Sequence, residues 1–108
     1  MKIAGSFRRC SYPLGATLVE QNHSVKLLGF IKSGSACRVA QGKNDKGFIC
    51  GSLGRGEFFG AGAALIDENA FVGVQCREPM VCYVQAKDDF RRMVNTFSQI
   101  LDFFIKTR

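Results

Sequence analysis

Gly51-Ser52-Leu53-Gly54-Arg55-Gly56-Glu57-Phe58-Phe59-Gly60-Ala61-Gly62-Ala63-Ala64-Leu65 is the densest local signal in the chain. Glycine enters the left-handed backbone region without a steric penalty, so it collects at turns and where one backbone approaches another closely. A glycine cluster running into a short Ala-rich turn has two readings. It is either turn chemistry alone, or a place where backbone N–H groups at a helix start approach an anion. The elements on either side decide between them.

Outward from this segment, between Thr17 and Ala86, short apolar runs rich in β-branched and aromatic residues alternate with Gly, Asn, Asp and Ser. The runs are Thr17–Val19, Leu27–Ile31, Ala36–Ala40, Phe48–Leu53, Phe71–Cys76 and Val81–Val84. They are broken at Gln21–Ser24, Ser33–Ser35, Gln41–Gly47, Gly54–Gly56, Asp67–Asn69 and Arg77–Pro79. Short strands at this spacing predict an antiparallel sandwich or barrel.

The last twenty residues follow another period. Phe90, Met93, Val94, Phe97, Ile100, Leu101 and Phe104 fall at i, i+3, i+4, i+7, i+10, i+11 and i+14, one apolar stripe along a helix. Asp88 and Asp89 in its first turn and Lys106 and Arg108 near its end suit the helix dipole. Phe103 and Ile105 beside the stripe make the helix end apolar on more than one side, which predicts a second helix against it.

The chain has 108 residues, with 15 Lys and Arg against 9 Asp and Glu, a formal charge of +6. This length is room for a single domain, residues 1–108, with strands over about 12–86 and the closing helix over about 87–106. Hydrophobic residues at 46% with charged residues at 22% exclude disorder, and the scatter of charges excludes a transmembrane span. Met1–Cys10 contains no apolar run, so no secretory signal is expected there, and a cytoplasmic location follows.

Five cysteines, at 10, 37, 50, 76 and 82, form no C-x-x-C pair, and the single histidine, His23, is remote from them in sequence. No metal site is expected; buried free thiols are the simplest account of Cys37, Cys50, Cys76 and Cys82. Cys10 is the expected exposed thiol, with Arg8 and Arg9 beside it to favour the thiolate. Pro79 predicts a turn between Cys76 and Cys82. His23 sits in Gln21-Asn22-His23-Ser24, a solvated turn, so a nucleophile–histidine arrangement has no support. There is no phosphate loop of the G-x-x-x-x-G-K-[ST] kind and no catalytic motif, and the chain is not expected to be an enzyme.

Taken in order, the motifs are Y-P-x-G-x-x-L at Tyr12–Leu18, Glu20-Gln21, the strand Leu27–Ile31 and Lys32-Ser33-Gly34. A hairpin later come G-E-F-F-G at Gly56–Gly60, Ala63-Ala64-Leu65, and Val81–Val84 followed by Asp88-Asp89-Phe90. This series resembles the cyclic-nucleotide-binding domain of the catabolite-activator type over about positions 12–105. The resemblance implies a mainly β fold: an antiparallel β-roll, jelly-roll-like, with a C-terminal α-helix and short flanking helices. The helix that precedes the Y-P-x-G turn in that family is cut here to Ile3–Arg9. Where the family has Gly after the Gln of its second strand, this chain has Asn22, which tolerates the same left-handed conformation.

The resemblance also implies a site. In that family a short helix offers backbone N–H groups to the cyclic phosphate, a Glu bonds the ribose 2′-hydroxyl and an Arg pairs with the phosphate. Laid without gaps on this chain, the Glu falls on Ala61 and the Arg on Ala70. The candidate cassette is therefore Phe59, Gly60, Ala61, Gly62, Ala63, Ala70 and Phe71, without its polar anchors. Each lost contact is worth about 1.5–3 kcal/mol, enough together to turn a micromolar site into one near millimolar. Arg55 and Arg77 are the nearest cations, and Arg77 falls at a strand end. The expectation is a cassette degenerate for cAMP and cGMP, either filled by a neighbour such as Phe71 or open to a less polar small effector.

The resulting reading is a regulatory sensor domain that homodimerises through its C-terminal helix. It would act through an output domain or partner not on this chain, and touch nucleic acid only indirectly. Two alternatives stand beside it. The +6 charge admits a small nucleic-acid-binding module, although only Arg8-Arg9 and Arg91-Arg92 are adjacent cations. The cysteines admit a thiol-based redox sensor.

Overall fold

The computed structural model describes residues 7–42, 47–66 and 68–106. Along them run β1 (Arg8–Tyr12), β2 (Thr17–Val19), β3 (Leu27–Ser33), β4 (Ala36–Gln41), β5 (Gly47–Leu53), β6 (Phe58–Phe59), α1 (Ala61–Ile66), β7 (Gly73–Cys76), β8 (Met80–Ala86) and α2 (Lys87–Lys106). Every strand pairing is antiparallel, in two four-stranded sheets of order β1-β8-β3-β6 and β2-β7-β4-β5. Successive strands thus alternate between the sheets for most of the chain, the winding of a jelly roll.

Side-chain alternation explains how the sheets close on one another. In β8, Met80, Cys82 and Val84 are buried in sequence with half-exposed Val81 and Tyr83 between them. Ile31 of β3 lies opposite Cys82, and Gly29 opposite both Val84 and Phe59, so these residues share the inner face. With Val19, Leu53, Val74 and Cys76 from the other sheet they form one core. Complete burial of Leu28, Ile31 or Met80 contributes about 1.5–3 kcal/mol each. Leu28 and its partner Gln85 point the other way, toward the helices: the Gln85 side-chain N–H reaches the Met93 sulfur of α2 at 4.0 Å.

α2 follows β8 without a loop, and the Lys87 N–H bonds to the Lys26 carbonyl at 2.9 Å. Asp89 pairs with Arg92 in its first turns, and Phe90 packs against the core cluster. Phe97 is 65% exposed, Ile100 43% and Ile105 56%, which leaves one apolar side of the helix open. Leu101, Phe103 and Phe104 of the apolar end, with Lys106 and Arg108, lie outside the described side chains.

Two local expectations need correction. Arg8 and Arg9 belong to strand β1 and not to a helix remnant, since β8 offers its free edge to them; Ile3–Ser6 lie outside the described residues. Cys50 is exposed, because β5 is a sheet edge with residues 47–50 all turned out to solvent; its thiol donates weakly to the Arg38 carbonyl at 3.6 Å. The left-handed backbone expected at Asn22 is present, with φ of 65°. The turn predicted at Pro79 separates β7 from β8.

Candidate functional site

The glycine-rich segment divides into a hairpin and a helix start. At its beginning, the Glu57 carboxylate accepts the Gly54 N–H at 2.7 Å, and the Glu57 carbonyl and Gly56 N–H bond to Ile31 on both sides. At its end Gly60 takes a φ of 77°. A Cβ there would come within 3.1 Å of the Leu27 carbonyl oxygen and 3.2 Å of Val25 Cγ1, so conformation and space both demand glycine. The Gly60 carbonyl then accepts the Ala64 N–H at 3.1 Å and α1 begins.

α1 and the segment before β7 border an open cavity of about 530 Å³. Gly60, Gly62, Ala63, Leu65 and Ile66 form one wall, Asn69–Val72 another, and Val19 and Val74 the floor. Among the described residues no charged side chain lines it; Asn69 supplies the polar side chain. Ala70 is 6% exposed and pinned by its backbone: its N–H donates to the His23 carbonyl at 3.0 Å and its carbonyl accepts the Asn22 N–H at 2.8 Å. His23 itself is a solvated turn residue, with Nδ1 at 2.9 Å from the Gln21 carbonyl and 3.5 Å from the Glu20 carboxylate. Two smaller clefts, about 290 and 280 Å³, adjoin Glu20 and His23 and hold none of the candidate residues.

Of the seven candidate residues, the structure brings Gly60, Gly62, Ala63, Ala70 and Phe71 to the cavity. Phe59 is not there: it is 3% exposed and its ring lies on Gly29 inside the roll. Ala61 opens α1 and leans on the core. Phe71 is 84% exposed and stands at the rim, so it does not fill the space. Leu65, Ile66 and Asn69, which complete the walls, escape a reading that follows the family's anchors alone; the signal for them is the apolar Leu65-Ile66 pair placed on so short a helix. Arg55 and Arg77 do not line the cavity, and the Arg77 N–H is held by the Ser35 carbonyl at 2.9 Å.

The thiols lie elsewhere. Cys37, Cys76 and Cys82 are buried; Cys10, expected to be the exposed thiol, is half-buried, and the exposed one is Cys50. Burial, with the nearby Cys76 and Cys10, pushes the Cys82 thiol up to about 11. Burial likewise raises Cys76, against the hydrogen bond its thiol makes to the Glu78 carbonyl at 2.6 Å. Tyr12 is raised by burial and by its thiol neighbours.

A family profile described as the cyclic nucleotide-binding domain matches residues 9–97. No curated protein matches the chain. Among solved structures, the regulatory domain of Toxoplasma gondii PKA with cAMP is similar with a TM-score of 0.79 and 18% identity, over 99% of this chain and 41% of that one. The regulatory subunit of a cAMP-independent protein kinase A from Trypanosoma brucei gives 0.79 and 14%, over 96% and 38%. The c-di-GMP responsive global regulator CLP of Xanthomonas campestris gives 0.75 and 18%, over 94% and 50%. At these identities the likeness is one of fold, and the chain spans half or less of each of these proteins.

Proposed function

This chain belongs to the cyclic nucleotide-binding domain family, and on that premise we propose that it is a regulatory, non-catalytic sensor domain whose effector pocket has lost its nucleotide anchors. The observation that carries this reading is that Ala70, on which the gap-free reading of the motifs sets the family's phosphate-pairing Arg, is buried at the wall of a cavity that no charged side chain lines among the described residues. A cyclic nucleotide brings a phosphate anion that must leave water to enter. Without a cation or a set of aimed donors, that desolvation goes uncompensated by several kcal/mol. Calorimetric titration with cAMP and cGMP is expected to give dissociation constants near or above about 1 mM. A micromolar value for either would overturn the reading.

An open, apolar cavity of about 530 Å³ suits a small uncharged effector, since small-molecule pockets run to roughly 300–1,000 Å³ and are lined mostly by apolar groups. Signal output is assigned to α2, whose exposed Phe97, Ile100 and Ile105 are the surface of a homodimer or of an output partner. Contact with nucleic acid would pass through that partner. Among the described residues no helix is long and apolar enough to cross a membrane. Five free thiols agree with a reducing, cytoplasmic setting.

A further inference from the structure

Cysteines far apart in sequence converge where β1 meets β8. The antiparallel register sets Cys10 directly opposite Cys82. Alternation along both strands turns the two thiols to the same inner face, with Tyr12 and Met80 as the next pair in that row. Directly opposed residues in such a ladder hold their Cβ atoms about 4.5–5.5 Å apart, and a disulfide needs about 3.5–4.5 Å. Oxidation has to draw the two Cβ atoms together, and β1 can follow because it is an edge strand held on one side by β8.

We propose that Cys10 and Cys82 form a reversible cross-strand disulfide, a redox-modification site in which Cys10 meets the oxidant and Cys82 resolves it. The division of labour follows from access. Cys10 is half-buried at the sheet edge, whereas Cys82 is fully buried behind it. Cys76 approaches from the facing sheet, but its thiol is buried and committed to the Glu78 carbonyl. Cys50 is exposed on β5, an edge of the other sheet.

The oxidant is a hydroperoxide. The Cys10 thiolate attacks one peroxide oxygen, the O–O bond breaks, the departing alkoxide takes up a proton and leaves as an alcohol or water, and Cys10 becomes a sulfenic acid. The Cys82 sulfur then attacks the Cys10 sulfur. An S–S bond forms, the S–O bond breaks, and the hydroxyl leaves with the Cys82 proton as water. Two thiols have lost two electrons and the peroxide has gained them. A dithiol reverses the change by exchange. The bond staples β1 to the strand that runs directly into α2, so the oxidation state of one strand pair is imposed at the root of the helix. This inference rests on the strand register and is independent of what the cavity binds.

The test treats the reduced chain with hydrogen peroxide and maps its peptides without reduction. A Cys10–Cys82 linked peptide is expected, with a rise of roughly 10 °C in the unfolding midpoint that dithiothreitol reverses. Cys10→Ser removes both effects, while Cys50→Ser and Cys76→Ala keep the linked peptide. Cys82→Ala strands Cys10 as a sulfenic acid that dimedone traps; since that variant alters the core, the peptide map of the unsubstituted chain decides the matter alone. Recovery of Cys10 as a sulfinic acid or joined to another cysteine, with Cys82 still a thiol, would overturn the proposal.

Discussion

The ring of Phe59 lies so closely over Gly29 that a Cβ added at residue 29 would fall 2.4 Å from its Cζ atom. Strand register puts the two opposite each other in β6 and β3, so glycine there is a packing requirement, not a turn. Gly29→Ala is expected to destabilise the chain by about 1–3 kcal/mol, because the ring must leave its rotamer or push the strands apart. Phe59→Ala should cost about 3–5 kcal/mol through the cavity it opens. Phe59→Leu in the Gly29→Ala background should recover part of the first loss. Urea unfolding of the unsubstituted chain, Gly29→Ala, Phe59→Leu and the double variant measures the coupling, and strict additivity would show that the two side chains do not compete for the same space.

Placing a Glu and an Arg at the two proposed anchor positions tests the proposed cassette. Ala61→Glu and Ala70→Arg together are expected to raise affinity for cAMP by about a hundredfold or more, at about 1.5–3 kcal/mol per recovered contact. Ala70→Gln offers a neutral amide in place of the charge and should gain little. Calorimetry on the folded variants reads the difference directly. If Ala70→Arg binds no better than Ala70→Gln, the correspondence between Ala70 and the family's Arg is wrong.

How much of this was legible beforehand depends on how strongly a segment carries its own period. The runs at Thr17–Val19 and Leu27–Ile31, and the stripe of α2, have enough apolar residues at fixed intervals to declare themselves. β1 does not, since Arg-Arg-Cys-Ser-Tyr has no apolar run and becomes a strand only because β8 supplies an edge to pair with. β6 is two residues long inside a glycine cluster, below any period. Motif order points to residues 59–71, of which five line one cavity, yet it does not sort Phe59 and Phe71 between core and rim. That sorting depends on which face of β6 meets Gly29 and on the chain's direction as it leaves Ala70, and both are tertiary facts. Cys50 was misplaced for a similar reason: an apolar-looking strand is core only if another layer covers it.

The open side of α2 predicts self-association. Phe97 and Ile100 are exposed, and they fall in one stripe with Val94. Sedimentation equilibrium at tens of micromolar should show a dimer for the unsubstituted chain and a monomer for Phe97→Asp/Ile100→Asp. Because both side chains are exposed within one chain, the monomer's unfolding free energy should move by no more than about 0.5 kcal/mol. A unsubstituted chain that stays monomeric across that range would remove the homodimer and leave a different partner for the helix.

The buried thiols set an alkaline limit on stability. Burial and its thiol neighbours hold Cys82 up at about 11 in the folded chain, and burial raises Cys76, whereas in the unfolded chain both ionise near 9.0. A raised acid favours its neutral form in the fold, so the contribution is fully present below about pH 8.5 and falls as pH climbs toward 11, when the unfolded chain releases its protons first. Each thiol removes at most about 1.4 kcal/mol per pH unit in that window. Cys82→Ala deletes one of them, so the stability gap between the unsubstituted chain and this variant should narrow between pH 8.5 and 10.5. Denaturant midpoints across that range, taken under reducing conditions, measure the gap. A gap that stays constant would mean that Cys82 ionises as readily in the fold as in the unfolded chain, which its place behind Cys10 and against Ile31 argues against.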